Sequence, residues 1–390
     1  MSRHASQSES DDETALPDSN DTNHDGKNRR TFLLSMAGAS ASVLAGCSGE
    51  SNSDGEDGSG GTSAKKTGKS LTVAVWSGQY HTYFKNTIKR MYEEETGATV
   101  TLVPGWSAII SKIKSAPEDD PPYDIAVTEG QMYKQARAED LFLTIRRKNV
   151  PNLKAVYPYV KDLRSTEYAV PFDGAPVGVM YNNRKINYDI TDWQTLIDNN
   201  TRLTMDGGFY AYTILIGAIV ADQMSGVKEI YNRQYHNVPF KKVRDFNATS
   251  FYSTGAERWQ QMQLRIANAA QSYFGVSMGR KTENDWISVT LPEATTGYYD
   301  HYGVVRGTGK REMAEHFLNF MLRKDVQNKW GETSHQLLAN KNAEHSEVAQ
   351  EAGFPTNNRE YKNFHFPDYN YLSEYSSEFS EKFEKLKRSS

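Results

Sequence analysis

The chain has 390 residues and one cysteine, Cys47, and the segment around that cysteine constrains the fold more than any other feature. A single thiol cannot form a disulfide within the chain, so the folded part must be held by a buried apolar core. Cys47 directly follows Leu44-Ala45-Gly46, at the end of an apolar segment that begins at Phe32 and is preceded by Arg29 and Arg30. That segment is shorter than the roughly 20 residues needed to span a bilayer, and its Gly and Ser content makes it weakly hydrophobic. Residues 1–27 are acidic and polar, which predicts a disordered extension, and residues 48–70 are almost wholly Gly, Ser and charge, which predicts a flexible tether. A folded body is expected from Leu71 onward.

The stretch 28–47 resembles a twin-arginine export signal ending in a lipobox, with Arg29 and Arg30 as its paired bases. The resemblance implies a diacylglycerol on Cys47 and removal of the chain before it. The mature protein would then sit on the outer face of the cytoplasmic membrane. Loss of residues 1–46 takes away seven acids and four bases and leaves a net charge near −1. Such a chain is no broad electrostatic trap for nucleic acid. About 340 residues remain, enough for two domains of ordinary size, and 23 tyrosines in a chain that is 12% aromatic argue against disorder in them.

Within the body, short β-branched runs alternate with helical periodicity. Strands are predicted at Leu71–Trp76, Ala98–Val103 and Tyr123–Val127, and helices at Tyr80–Thr96, Ile109–Ile113 and Gln131–Ala138, with Gly97 stopping the first helix. This alternation points to parallel βαβ units. A loop-like stretch, Arg146–Arg164, interrupts it. Two extended runs, Tyr168–Phe172 and Val177–Asn182, then suit a crossing between two lobes. Further on the pattern predicts a helix capped by Asp192 or Thr191, a strand at Arg202–Met205 and an apolar helix at Phe209–Met224. Gly226–Ser250 reads as a basic surface segment, and Gly255–Ala270 as a helix. Strands follow at Tyr273–Ser277, Trp286–Thr290 and Gly297–Arg306, then helices at Glu312–Leu322 and Asp325–Trp330.

Four stretches taken in order resemble a known family. They are the first strand ending in Trp76-Ser77, the helix end Glu95-Thr96-Gly97, the run Tyr123-Asp124-Ile125-Ala126-Val127, and the late segment from Tyr298 through Leu318-Asn319-Phe320-Met321-Leu322 to Asp325-Val326. Together they resemble the solute-binding subunits of ABC importers, and most of all the spermidine/putrescine-binding branch. The fold this implies is α/β, two-lobed and periplasmic-binding-protein-like of the second type. Each lobe would be a mostly parallel sheet flanked by helices, with the ligand cleft between the lobes. The first lobe is expected to hold residues 71–174 plus about 299–345, and the second 175–298 plus about 346–390.

The resemblance also implies a monomeric receptor that captures a small solute by lobe closure and passes it to a membrane permease and its ATPase. No cofactor and no catalysis are expected. In the polyamine branch, aromatic faces hold the methylene chain and carboxylates hold the ammonium ends. Carried over residue by residue, Trp76 and Ser77 match the first aromatic and hydroxyl, Tyr298 an aromatic wall, Asp300 the anchoring carboxylate and Asp206 a second acid. Tyr80 and Glu129, at loops following strands, are added as candidates from their position. The match has departures. Gly78 stands where the family often has Glu, Phe209 or Tyr210 replaces an acid, and Ser277 or Met278 stands where an aromatic is expected. A sugar or a ferric complex therefore remains an alternative ligand.

Two other chemistries are legible. Gly275-Val276-Ser277-Met278-Gly279 fits a nucleophile elbow, with Asp300 and His335 following in hydrolase order. An elbow needs a helix directly after it, and the polar run Gly279–Asp285 shows no helical period. Tyr298-Tyr299-Asp300-His301 carries ferric-type donors, yet strand alternation sends Tyr298 and Asp300 to one face and Tyr299 and His301 to the other. Packing against a neighbouring helix is the expectation for Tyr299 and His301.

Overall fold

The computed structural model describes residues 70–208 and 210–389; Arg29, Arg30, Cys47 and Phe209 lie outside this set. Nine strands carry the architecture: β1 (Ser70–Trp76), β2 (Thr99–Gly105), β3 (Ile125–Thr128), β4 (Ala169–Asn182), β5 (Leu203–Asp206), β6 (Ala248–Tyr252), β7 (Ala269–Tyr273), β8 (Ile287–Thr290) and β9 (Thr295–Val304). Their order along the sheet is β2-β1-β3-β9-β4-β7-β5-β6, with β8 also paired to β4. Among the described residues no helix is long and apolar enough to cross a membrane.

The sheet is mixed rather than mostly parallel. Its flanks are parallel (β1 with β2 and β3, β5 with β6 and β7), as the βαβ alternation requires. Its middle is antiparallel, because β9 runs against β3 and β4, and β4 against β7 and β8. The two extended runs around 168–182 prove to be one 14-residue strand, almost wholly buried. One part of β4 pairs with β9 and the following part with β7 and β8.

Apolar residues collect in two large clusters. The first gathers β1, β3, the helices flanking them and Phe317, Trp330, Phe354 and Phe364. The second gathers Trp193, Leu203, Met205, the helix Tyr210–Ile219 and the C-terminal residues Leu372, Phe379, Phe383 and Leu386. β4 feeds both, with Val170 and Phe172 in the first and Val177 and Val179 in the second.

Local signals in the first third hold well. Residues 79–96 are helical throughout, with one π turn at Lys85–Lys89, and Gly97 ends the run at φ 66°. Its N–H caps the Glu93 carbonyl. A Gly97→Ala variant must hold a Cβ in the left-handed region and is expected to lose about 1 kcal/mol in urea unfolding. Asp192, not Thr191, caps the helix Trp193–Asp198, accepting from Thr195 N.

Later segments depart from expectation. The loop-like stretch 146–164 contains the helix Pro158–Leu163. The apolar helix stops at Ile219, and the helix from Gly255 stops at Gln263 so that Ala269 can enter β7. The segment 226–250 is less of a solvated face than its charge suggests: its lysines and arginines are largely exposed, but Ile230, His236, Phe240, Val243 and Phe246 are buried beneath them. The expected strand Tyr273–Ser277 ends at Tyr273, and Phe274–Glu283 is a helix. The signal for it was the spacing of Phe274, Ser277 and Met278, which are its buried residues together with Gly275.

Candidate functional site

Trp76 ends β1, and its indole Nε1 donates 2.8 Å to Oδ2 of Asp300 on β9, joining residues far apart in sequence. Both are buried, Asp300 completely. Ser77 lies half-buried in the turn just after Trp76, its backbone N–H tied to the Gly105 carbonyl. The next helix brings in Tyr80. Its hydroxyl donates 3.1 Å to Oδ1 of Asp173 and lies 2.8 Å from the Tyr302 hydroxyl. Trp330 Nε1 donates 3.1 Å to the other oxygen of Asp173.

Strand parity holds along β9. Asp300 and Tyr302 meet Trp76 and Tyr80 on one face, whereas His301 on the other lies 5.8 Å from the Tyr133 ring and its Nδ1 accepts from the Arg164 guanidinium at 3.0 Å. Tyr299 packs edge-on against Phe366 on that second face. His301 is held neutral, its pKa pushed well below the usual value by burial and then by Arg164. The expected packing against a helix is thus found for His301, through Tyr133, whereas Tyr299 packs on Phe366, which lies in a non-helical segment. Among the described residues no group of three or more His, Cys, Asp or Glu is arranged to hold a metal.

Aromatic rings extend the site from Tyr298. Its half-buried ring meets Tyr273 edge-on at 5.1 Å, and Tyr273 meets Tyr212 at 6.0 Å. The Tyr369 hydroxyl reaches Tyr212 at 3.3 Å. Asp206, at the end of β5 and buried, accepts from Gly208 N at 2.8 Å. After burial itself, its charge is the main cause that raises the Tyr273 phenol. Glu129 caps the helix Gly130–Ala138 by accepting from Gln131 and Met132 N–H, and its charge adds to the rise at Tyr298, Asp300 and Tyr369. Trp106 is 58% exposed and stacks on Trp76 at 5.6 Å. It is thus a surface partner of the site, unlike Trp193 and Trp330, which are core.

Trp76 and Asp300 therefore meet directly, Tyr80 reaches Asp173, which stands opposite Asp300, and Tyr298 lies on the same strand face as Asp300; Glu129 acts on the electrostatics of Tyr298 and Asp300, and Asp206 on that of Tyr273. Where the match lacks an aromatic, at 277–278, Tyr273 stands against Tyr298 instead, and Tyr212 meets Tyr273 without restoring the acid that Phe209 or Tyr210 replaces. Tyr210 instead packs against Phe379 and Phe383. Sequence reasoning also missed Asp173, whose signal was an acid inside the otherwise apolar strand β4.

The hydrolase geometry does not form. A helix does follow Tyr273, so the objection from helical period was mistaken, but Ser277 Oγ donates to Tyr273 O at 2.9 Å and lies 2.6 Å from Ser272 Oγ. His335 Nδ1 is paired with Ser346 at 3.0 Å, and Asp300 with Trp76.

A mixed α/β sheet that joins two apolar clusters through shared strands, with aromatics and carboxyls gathered on those strands, defines the class of periplasmic-binding-protein-like receptors. The chain belongs to the bacterial extracellular solute-binding protein family, whose model matches residues 87–356. Members of that family bind solutes for transport and are not enzymes. Comparison of the sequence with curated proteins gave no match.

Solved structures share the fold at low identity. An ABC transporter substrate-binding protein from Bradyrhizobium japonicum superposes with a TM-score of 0.66 at 16% identity, covering 81% of this chain and 99% of that one. The TpPotD lipoprotein of Treponema pallidum gives 0.64 at 15%, covering 82% and 99%. The spermidine/putrescine ABC transporter substrate-binding protein PotD of Streptococcus pneumoniae gives 0.63 at 17%, also covering 82% and 99%.

Proposed function

We propose that this protein captures a small cationic amine of the polyamine class outside the cell and delivers it to an ABC permease. In this reading it is tethered by a lipid on Cys47 and closes two lobes over the ligand. The first lobe carries the cluster around β1 and β3, the second the cluster around β5. The chain would cross through β4 and β9 and return between Phe364 and Leu372, where cluster membership changes.

One observation carries the choice of ligand. Asp300 is fully buried among aromatic rings, and its Oδ1 has no hydrogen-bond donor. Burial and then the neighbouring Asp173 push its carboxyl well above the usual range. An ammonium group would satisfy both the orphan oxygen and the charge, while Trp76 and Tyr298 offer π faces to the attached methylenes. The spermidine/putrescine proteins that share the fold support the same ligand class.

Thermal unfolding in the presence of putrescine, spermidine, a sugar series and ferric citrate tests this. A ligand at a hundred times its Kd adds about 2.7 kcal/mol, so Tm is expected to rise about 5 °C with an amine and to stay unmoved with the others. A shift with sugar or ferric citrate alone would remove the amine reading.

A further inference from the structure

Pro171 of β4 stands opposite His301 of β9, but the register then slips by one at Phe172, so that Asp173 stands opposite Asp300. Without that bulge Asp173 would face Tyr299. Gly174 permits the close approach here, since a Cβ on it would lie 2.6 Å from the Tyr298 carbonyl oxygen. Phe172, the bulged residue, is locked by packing on Phe84, Tyr302 and Trp330, and its carbonyl accepts from Gln327 Nε2 and Ala339 N. Two carboxyls directly opposed on one face of an antiparallel pair repel when both are ionised. Both are wholly buried, and no ion pair involves either among the described residues.

We propose that Asp173 and Asp300 form one two-carboxyl seat for a single ammonium group, and that the amine takes this seat in exchange for a proton. The inference rests on the amine reading above and adds to it a second anchoring residue and a charge-balancing step. Each acid is held by fixed donors, Asp173 by Tyr80 and Trp330 and Asp300 by Trp76, which leaves Asp300 Oδ1 as the carboxyl oxygen without a hydrogen-bond partner and so the one open to an ammonium. In the ligand-free protein at least one carboxyl carries a proton, because two bare charges opposed in a dry strand pair have no cation between them. When the ammonium enters, one carboxyl O–H breaks and its proton passes to solvent. The positive charge gained and the proton lost leave the net charge of the seat unchanged.

The groups that face the pair support the exchange. They are the phenols of Tyr80, Tyr298 and Tyr302, all pushed up by burial and so uncharged, and the indoles of Trp76 and Trp330. Glu129 adds negative charge, and the Arg164 guanidinium acts on Asp300 in the opposite sense. Arg164 bonds the Tyr299 carbonyl and His301, on the far face of β9. Tyr299, also raised by burial, lies on that face.

Calorimetry of the full chain with putrescine, in buffers of different ionisation enthalpy, counts the protons released. About one proton is expected at neutral pH, with affinity rising by up to about tenfold per pH unit as the solution moves from mildly acidic to mildly basic. In Asp173→Asn the release should shrink, because burial alone still raises Asp300, the pH slope should flatten and affinity should drop at least about tenfold. Putrescine binding without proton release in the wild type overturns the exchange and leaves the amine reading standing. Absence of any amine binding overturns both. Undiminished release and unchanged affinity in a folded Asp173→Asn overturn the role of Asp173, and the wild-type proton count requires no variant.

Discussion

Asp300→Asn is expected to weaken putrescine binding on the order of a hundredfold or more while leaving the urea midpoint near that of the wild type. Truncating one partner of a buried charged pair costs about 2–5 kcal/mol, and a hundredfold effect, about 2.8 kcal/mol, falls in the lower part of that range. The fold is spared for a specific reason. Burial and Asp173 already push the Asp300 carboxyl toward its neutral form in the ligand-free protein, and an amide oxygen can accept the Trp76 N–H as the carboxyl does. Calorimetry with the variant decides the matter, and unchanged affinity would remove Asp300 as the anchor.

The largest stability effect is expected at Trp330. It is completely buried, meets Tyr80 edge-on at 5.2 Å and Phe84 at 5.8 Å, lies 5.4 Å from Phe172 and donates to Asp173. Trp330→Ala removes the ring and leaves a buried carboxyl oxygen without a donor, so a loss of about 4 kcal/mol is expected in urea unfolding. Trp330→Phe keeps most of the packing and loses the N–H alone, for which about 1–3 kcal/mol is expected. Equal losses in the two variants would mean that the bond to Asp173, not the packing, dominates.

The same two acids give ligand-free stability a pH dependence of definite sign. A carboxyl whose folded pKa is raised binds its proton more tightly when folded, so stability is greatest at acid pH and falls as pH rises from the ordinary carboxylate range toward the raised value. Both Asp173 and Asp300 are raised chiefly by burial. Tm of the wild type should therefore carry a downward slope from mildly acidic to neutral pH that is shallower in Asp300→Asn.

Much of the fold was legible because its signals are local. Phe84, Ile88 and Tyr92 recur at helical spacing and are buried as that spacing requires, Gly97 ends their helix, and alternation along 298–302 sorts side chains between two faces. Legibility failed where a segment's fate depended on distant partners. Phe274–Glu283 was misread because its polar half faces outward and only its first residues are buried. The mixed middle of the sheet was hidden because strand direction is set by pairing between β4 and β9, more than a hundred residues apart.

The sequence by itself determined the strand and helix alternation and the candidates Trp76, Tyr80, Tyr298 and Asp300, all through short-range pattern and residue chemistry. Tertiary structure alone decided that Asp173 stands beside Asp300. A bulge at Phe172 shifts the register by one residue, and in a strand of period two a one-residue shift changes which side chains face each other. No local pattern encodes that shift, because it is held by contacts of Phe172 with Phe84, Tyr302 and Trp330.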